Sequence, residues 1–235
     1  MKDRTYPRRG LHGELVHDIG LRIVRGELPP GSSIAAEIDT TADVSRTVVR
    51  EAIKVLAAKG LVVARPKTGT QVRERRYWNL IDPDVLAWRL EAEPGDELFV
   101  HVFELRRLLE PAAAALAATR ASEAEVEQLA AAYAQMQATV SDDPDAYIAA
   151  DLHFHTIVLE ACHNELLAHL ASTLRAVFRA SFARTHGGAV KTLPMHGAVL
   201  DAIQSGDSAK AEAAMRALID LSATLLDEAA QATAV

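Results

Sequence analysis

Ser45-Arg46-Thr47-Val48-Val49-Arg50-Glu51-Ala52-Ile53-Lys54-Val55-Leu56-Ala57-Ala58-Lys59-Gly60 reads as one amphipathic helix with both ends marked. Asp43 or Ser45 offers a side-chain oxygen to the first turn, and Gly60 stops the helix. Val48, Val49, Ala52, Ile53 and Leu56 fall on one side, and Arg46, Thr47, Arg50 and Lys54 on the other. A strand over Leu61–Arg65, a turn at Pro66-Lys67-Thr68-Gly69 and a second strand from Thr70 to Arg73 follow at once.

Upstream, Leu15, Ile19 and Ile23 make a helical stripe that Gly26 ends, and Pro29-Pro30-Gly31 makes a turn. A short helix around Ala35–Thr41 fits between. Three helices followed by a hairpin is the order of a winged helix-turn-helix. In that setting Arg46 and Arg50 can fork onto guanine edges and Thr47 can meet a phosphate or a thymine methyl. The helix start at Ser45 favours a phosphate oxygen. The wing Lys67, Thr68, Gly69 and Thr70 can reach an adjacent groove. A solvated charged face would explain the helix alone; the hairpin behind it favours the groove-reading role.

Charge is divided along the chain. The net charge is −7, yet residues 1–76 hold 15 Lys+Arg against 9 Asp+Glu, and residues 77–235 hold 10 against 23. A basic head of +6 on an acidic body of −13 is the pattern of a protein in which one domain meets phosphate. The single cysteine, Cys162, cannot form an internal disulfide, no secretory h-region is present, and no apolar run spans a bilayer. We expect a soluble, cytoplasmic protein.

Residues 77–96 form a linker with a short helix near Val85–Leu90 and a turn at Gly95-Asp96. Beyond it the alanine-rich chain reads as helices at about 97–120, 122–140, 144–162, 165–185, 194–205 and 208–230. The expected fold is mainly α: a winged helix-turn-helix over 1–76, the linker, and an all-α bundle over 97–235. In the bundle, Asp151 and His155 share a face with Ile148, Leu152 and Leu159, His196 shares one with Val199, Leu200 and Ile203, and Arg106 and Glu110 are an i, i+4 pair. Arg106 with Glu110 alone reads as a structural ion pair, and His196 alone as a satisfied core histidine. Five ionisable residues at inward positions together point to a polar cavity.

The motifs Ser45–Ala52, Lys59-Gly60-Leu61-Val62 and Gly69-Thr70-Gln71-Val72, with the Pro30-Gly31 turn, resemble the GntR family of bacterial regulators over residues 11–73. That resemblance implies operator contacts at Arg46, Thr47 and Arg50 and minor-groove contact by the wing. One departure stands out: 12 residues separate Gly31 from Val44, about two fewer than usual, and Ile38 stands where an arginine is common. Residues 97–230 resemble the FCD effector domain of the FadR subfamily through Glu104–Pro111, Asp151–His155 with Asn164, and His196 with Gly206-Asp207.

The FCD resemblance implies Zn or a similar divalent metal on one Asp and three His. Asp151, His155 and His196 match three of these, and Leu218 occupies the fourth position. Trp78–Trp88 and Arg175–Phe178 resemble the galactonate-type sugar-acid regulators, which implies a sugar-acid or related carboxylate effector, with Arg106, Glu110, Asp151, His155, His196, Phe182 and Thr192 around it. The expectation is a repressor, homodimeric on palindromic half-sites of operator DNA, released by its effector. The rival reading is a metal-dependent enzyme on Asp151, His155 and His196. A third is a helical module that only dimerises.

Overall fold

The computed structural model describes residues 10–34, 45–92 and 97–233, and the chain divides into a unit over Met1–Pro94 and a unit over Gly95–Val235. The expected helix around Ala35–Thr41, the Asp43 cap and the Gly95-Asp96 turn lie outside the described residues.

In the first unit, α1 (Gly10–Val24) packs against α2 (Arg46–Ala58) and α3 (Pro83–Ala92), and α2 leads into the antiparallel pair β1 (Val62–Arg65) and β2 (Gly69–Val72). Leu15, Val16, Ile19 and Ile23 of α1 meet Ala52 and Leu56 of α2 in one apolar core, joined by Leu61, Val72, Val85 and Trp88. The helices α1 and α3 approach so closely that a Cβ on Gly20 would lie 2.6 Å from the Trp88 ring. Trp88 also donates its indole N–H to His17 Nδ1 at 2.8 Å.

Helix α2 has the ends that its sequence specifies. Ser45 caps it by accepting from Val48 N. At its other end Gly60 N donates to Ala57 O and Leu61 N to Leu56 O, the paired bonds of a Schellman stop, with Gly60 at φ 77. The hairpin pairs Val62 with Val72 and Arg65 with Gly69, and Lys67 takes φ 68 in the turn.

The stretch after the hairpin is built to hold α3 against α2. Lys59 Nζ meets Asp82 Oδ1 at 2.9 Å and Asp84 Oδ2 at 2.5 Å, and Asp82 also accepts from Asp84 N and Val85 N at the start of α3. Burial opposes the Lys59 charge, but the two carboxylates outweigh it and raise its pKa.

The second unit has six helices among its described residues: α4 (Glu97–Arg120), α5 (Glu123–Thr139), α6 (Pro144–Ala161), α7 (Glu165–Thr185), α8 (Ala189–Gln204) and α9 (Ser208–Thr233). Helix α4 packs against α9, α6 and α8, and α6 also packs against α5 and α7. Local chemistry sets several starts: a Ser122–Glu125 capping box for α5, Asp143 with Pro144 for α6, and Asn164 for α7. One expectation is corrected. The helix predicted from Pro194 begins at Ala189, so Pro194 lies inside α8. A 3₁₀ turn at His186–Gly188 breaks the chain at the Gly187-Gly188 pair, as the two glycines predict, and a Cβ on Gly188 would meet Leu225. Pro111 likewise sits within an uninterrupted α4.

Candidate effector cavity and DNA-reading helix

Arg106 and Glu110 from α4, Asp151 and His155 from α6, and His196 from α8 come together in the second unit, each no more than 8% exposed. Arg106 Nε donates to Glu110 Oε1 at 2.6 Å, and Glu110 Oε2 lies 2.5 Å from His155 Nδ1. On its far side, His155 Nε2 faces His196 Nε2 at 3.3 Å and Asp151 Oδ1 at 3.3 Å, and His196 Nε2 lies 3.1 Å from the same oxygen. Aromatic rings enclose the group. Phe182 stacks on His155 at 5.0 Å and holds its ring 4.5 Å from the Arg106 guanidinium, while Phe154 stands edge-on to both imidazoles.

The outer partners of the two histidines decide what their inner nitrogens offer. His196 Nδ1 lies 2.9 Å from the Thr192 carbonyl oxygen, which can only accept, so the proton sits on Nδ1 and Nε2 presents a lone pair. The Glu110 carboxylate assigns His155 Nδ1 in the same way. With each imidazole singly protonated on its outer nitrogen, two lone pairs and a carboxylate oxygen face one another at 3.1–3.3 Å and call for a cation; without one, the extra proton that Glu110 and Asp151 favour on His155 fills the gap. Donors about 2.0–2.1 Å from a tetrahedral ion stand about 3.3 Å apart. The triad therefore has the spacing, the donor types and the outer hydrogen bonds that suit a divalent ion. Position 218, where the expected set has a fourth histidine, holds a fully buried leucine that donates nothing.

The charges follow from these contacts. Burial raises the Glu110 pKa, but Arg106 and His155 outweigh it and bring the group down to about 2. Burial also opposes ionisation of Asp151, and His196 and His155 hold it well below the usual carboxylate range. Burial disfavours a charged His155, yet the Glu110 and Asp151 carboxylates raise its pKa.

Phe182, Thr192, Thr185, Tyr147, His186 and Ser222 line the same cavity beside Arg106 and the triad. Its free volume is about 10 Å³, room for about one water-sized species. Sequence reasoning passed over Tyr147 and His186. Tyr147 looks like another core aromatic, and His186 like a polar residue at a glycine break. Only the packing of α6 against the end of α7 brings their rings to 5.4 Å.

In the first unit, Ser45, Arg46, Thr47, Arg50 and Lys54 are exposed along α2, while Ala52 and Leu56 are buried beneath them. Lys54 pairs with Glu51 at 2.7 Å, leaving Arg46, Thr47 and Arg50 as the outward set nearest the helix start. Lys67, Thr68 and Gly69 are exposed at the hairpin tip, and Thr70 is half-buried. Arg73 and Arg76 lie 4.5 and 5.1 Å from the Tyr77 ring centre, extending the cationic surface past β2.

Residues 11–72 match the bacterial regulatory proteins of the gntR family, and residues 101–221 match the FCD domain. The chain is 35% identical over 220 residues to the galactonate operon transcriptional repressor of Escherichia coli K12, covering 91% of this chain and 96% of that protein. It is 30% identical over 205 residues to the HTH-type transcriptional regulator LutR of Bacillus subtilis, covering 83% and 91%. Its fold is similar to the solved structure of Lar from Listeria monocytogenes, with a TM-score of 0.63 at 18% identity over 95% of this chain and 99% of that one. The Streptococcus agalactiae GntR structure gives a TM-score of 0.53 at 24% identity, over 89% and 97%.

Proposed function

The chain belongs to the gntR family with an FCD domain and is a ligand-responsive DNA-binding transcriptional regulator; from that premise we propose that it represses a sugar-acid operon. Membership sets aside the rival reading of Asp151, His155 and His196 as an enzyme centre, because the family and its named relatives are regulators. It also gives the two partners in outline, operator DNA for the first domain and a small molecule for the second.

In our reading, Arg46, Thr47 and Arg50 enter the major groove with Ser45 and the helix start on a phosphate, and Lys67–Thr70 of the wing lie in the neighbouring minor groove. Two copies of the chain read a palindromic site in the cytoplasm. No described helix is long and apolar enough to cross a membrane. The effector is a sugar acid or a related hydroxy acid, as the galactonate and LutR relatives suggest. Its carboxylate sits at Arg106, with Phe182 and Thr192 beside it.

A divalent ion held by Asp151, His155 and His196, with an effector or water oxygen in the fourth place, would supply a second positive anchor for that carboxylate. Glu110 and the Thr192 carbonyl fix the two histidine rings for that role.

The observation that carries this reading is a buried guanidinium lining one cavity with the converging Asp151, His155 and His196 side chains. A ligand shifts an equilibrium only through different affinity for its two states. In our reading the effector binds an opened bundle more tightly than the closed one, and opening releases DNA. A thermal-shift screen of sugar acids and hydroxy acids, with and without chelator, tests effector class and metal need together. Stabilisation by an aldonate that also releases a fluorescent operator fragment is the expected result. If no acid of the series moves either signal, the reading is wrong.

A further inference from the structure

The sheet of the first unit has an outer face that neither α2 nor the wing tip uses. Side chains alternate along a strand, so Val62 and Val72 are buried on the core side, while Val63, Arg65 and Gln71 belong to the other face. After β2 the chain makes a 3₁₀ turn at Arg75–Tyr77. Arg65, Gln71, Arg73 and Tyr77 line one open hollow of about 480 Å³ between sheet and turn.

Arg73 is held in place on this hollow. Its backbone N–H donates to Leu61 O at 2.8 Å, and its carbonyl accepts from Trp78 Nε1 at 3.0 Å. Its guanidinium lies 4.5 Å from the Tyr77 ring centre. Such stacking uses the flat face of the guanidinium and leaves the N–H donors in its plane free for an anion. The Tyr77 carbonyl packs so closely on Gly60 that a Cβ there would clash with it, which braces the turn against the end of α2. Among the described residues neither Arg65 nor Arg73 pairs with a carboxylate. Glu74, the acid on the hollow, is taken by Arg76 at 3.0 Å.

Two guanidiniums beside a side-chain amide call for anionic oxygens, and phosphate is the anion whose geometry arginine matches. Their placement distinguishes a chain of phosphates from a single ion. Arg65 pairs with Gly69 next to the wing tip, and Arg73 stands beside Leu61, about 13 Å farther along the sheet. With exposed Lys67 at the tip they make a row of cations leading away from it. Duplex DNA carries a phosphate about every 3.4 Å of axis on each strand, so one strand can meet the whole row.

We propose that this hollow is a second phosphate seat, in which Arg65 and Arg73 grip the sugar-phosphate backbone beside the groove that the wing tip enters, with Tyr77 positioning Arg73. The assignment rests on the reading of α2 as the helix that meets operator DNA.

The test is fluorescence anisotropy of the full chain, over a range of KCl, against two labelled duplexes of equal length. One is enriched by the wild type from a random-sequence library, and the other is unselected. Phosphate contacts carry no sequence information and release counterions. Arg65→Gln with Arg73→Gln should therefore weaken both duplexes by a similar factor, about 10-fold or more, and lower the slope of log K against log salt by about 2. Lys210→Gln with Arg216→Gln removes the same charge from the second unit and should leave affinity and slope unchanged. If the Arg65 and Arg73 pair fails to fold by circular dichroism, the exposed Arg65→Gln alone decides, with a slope change of about 1. A wild-type slope in the folded variant would overturn the seat, and so would an equal fall in the Lys210 and Arg216 control. Stabilisation of the wild type by inorganic phosphate at constant ionic strength, lost in a variant whose DNA slope is unchanged, would make the hollow a small-anion site and overturn the seat too. A wild type that enriches no duplex would overturn the DNA reading of α2 itself, and the seat with it.

Discussion

Each unit of the molecule buries a cluster of charged groups, and the two clusters are finished differently. In the first, Lys59 lies between Asp82 and Asp84, and Asp82 has further donors in the backbone of α3. Cation and carboxylates are matched, and the cluster pins the segment after the hairpin to the end of α2. In the second, Arg106, Glu110 and His155 pair in series, but the series ends where Asp151, His155 and His196 converge on one point, and Arg106 Nη1 makes no hydrogen bond among the described residues. The lesson is that buried charge by itself does not mark a site, because evolution uses it equally as a fastening. What marks the site is surplus: donors and acceptors that the protein orients and does not itself satisfy.

The largest expected effect is at the unfinished cluster. Glu110→Ala leaves Arg106 and His155 buried without their carboxylate and should cost about 3–5 kcal/mol in urea denaturation, with loss of effector response. A loss below about 1 kcal/mol would mean that Glu110 is not the hub described. The same carboxylate gives a pH signature. Its folded pKa of about 2 lies below its ordinary 4.5, so its contribution is full above pH 4.5 and drains away as pH falls toward 2. Wild type minus Glu110→Gln stability, followed from pH 6 to 2, should shrink across that window.

Metal removal comes next. Adding Zn²⁺ to chelated protein at about 100 times its Kd should stabilise it by about 2.7 kcal/mol in differential scanning calorimetry. Asp151→Asn should abolish that gain; an equal gain in the variant would place the ion elsewhere.

Lys59→Met is the matching break in the finished cluster. It should cost about 1–3 kcal/mol, from two carboxylates left without their cation. Effector affinity should not change, and a shift in it would erase the distinction between fastening and sensor.

The smallest stability change is expected at the exposed face of α2. Arg46→Ala with Arg50→Ala should stay within about 0.5 kcal/mol of wild type. Operator affinity, read by fluorescence anisotropy, should nonetheless fall at least about 30-fold, from two lost base contacts of about 1–3 kcal/mol each. Persistent operator binding would show that another surface reads the DNA.

How far the sequence disclosed this follows from where the information sits. The cap at Ser45, the stop at Gly60, the paired strands and five of the six bundle helices are local signals, written in adjacent residues, and their boundaries fell within a few positions. Pro194 misled because proline is commonest in a first helical turn, whereas here the helix resumes directly after the Gly187-Gly188 break and carries Pro194 inside it. The ionisable members of the cavity were visible because charge on an inward helical face is conspicuous. Tyr147 and His186 were not, since an aromatic residue on a buried face and a polar one at a turn are ordinary, and only three-dimensional closure makes them neighbours.

The cavity's small size has a consequence in time as well as in affinity. If the effector binds here as proposed, about 10 Å³ of free space means that the helices must part before it enters. Its observed association rate should climb with concentration and then level off at the protein's own opening rate. Above that plateau, on the proposed reading, more effector should bring no faster response, because the delay would belong to the opening of the bundle.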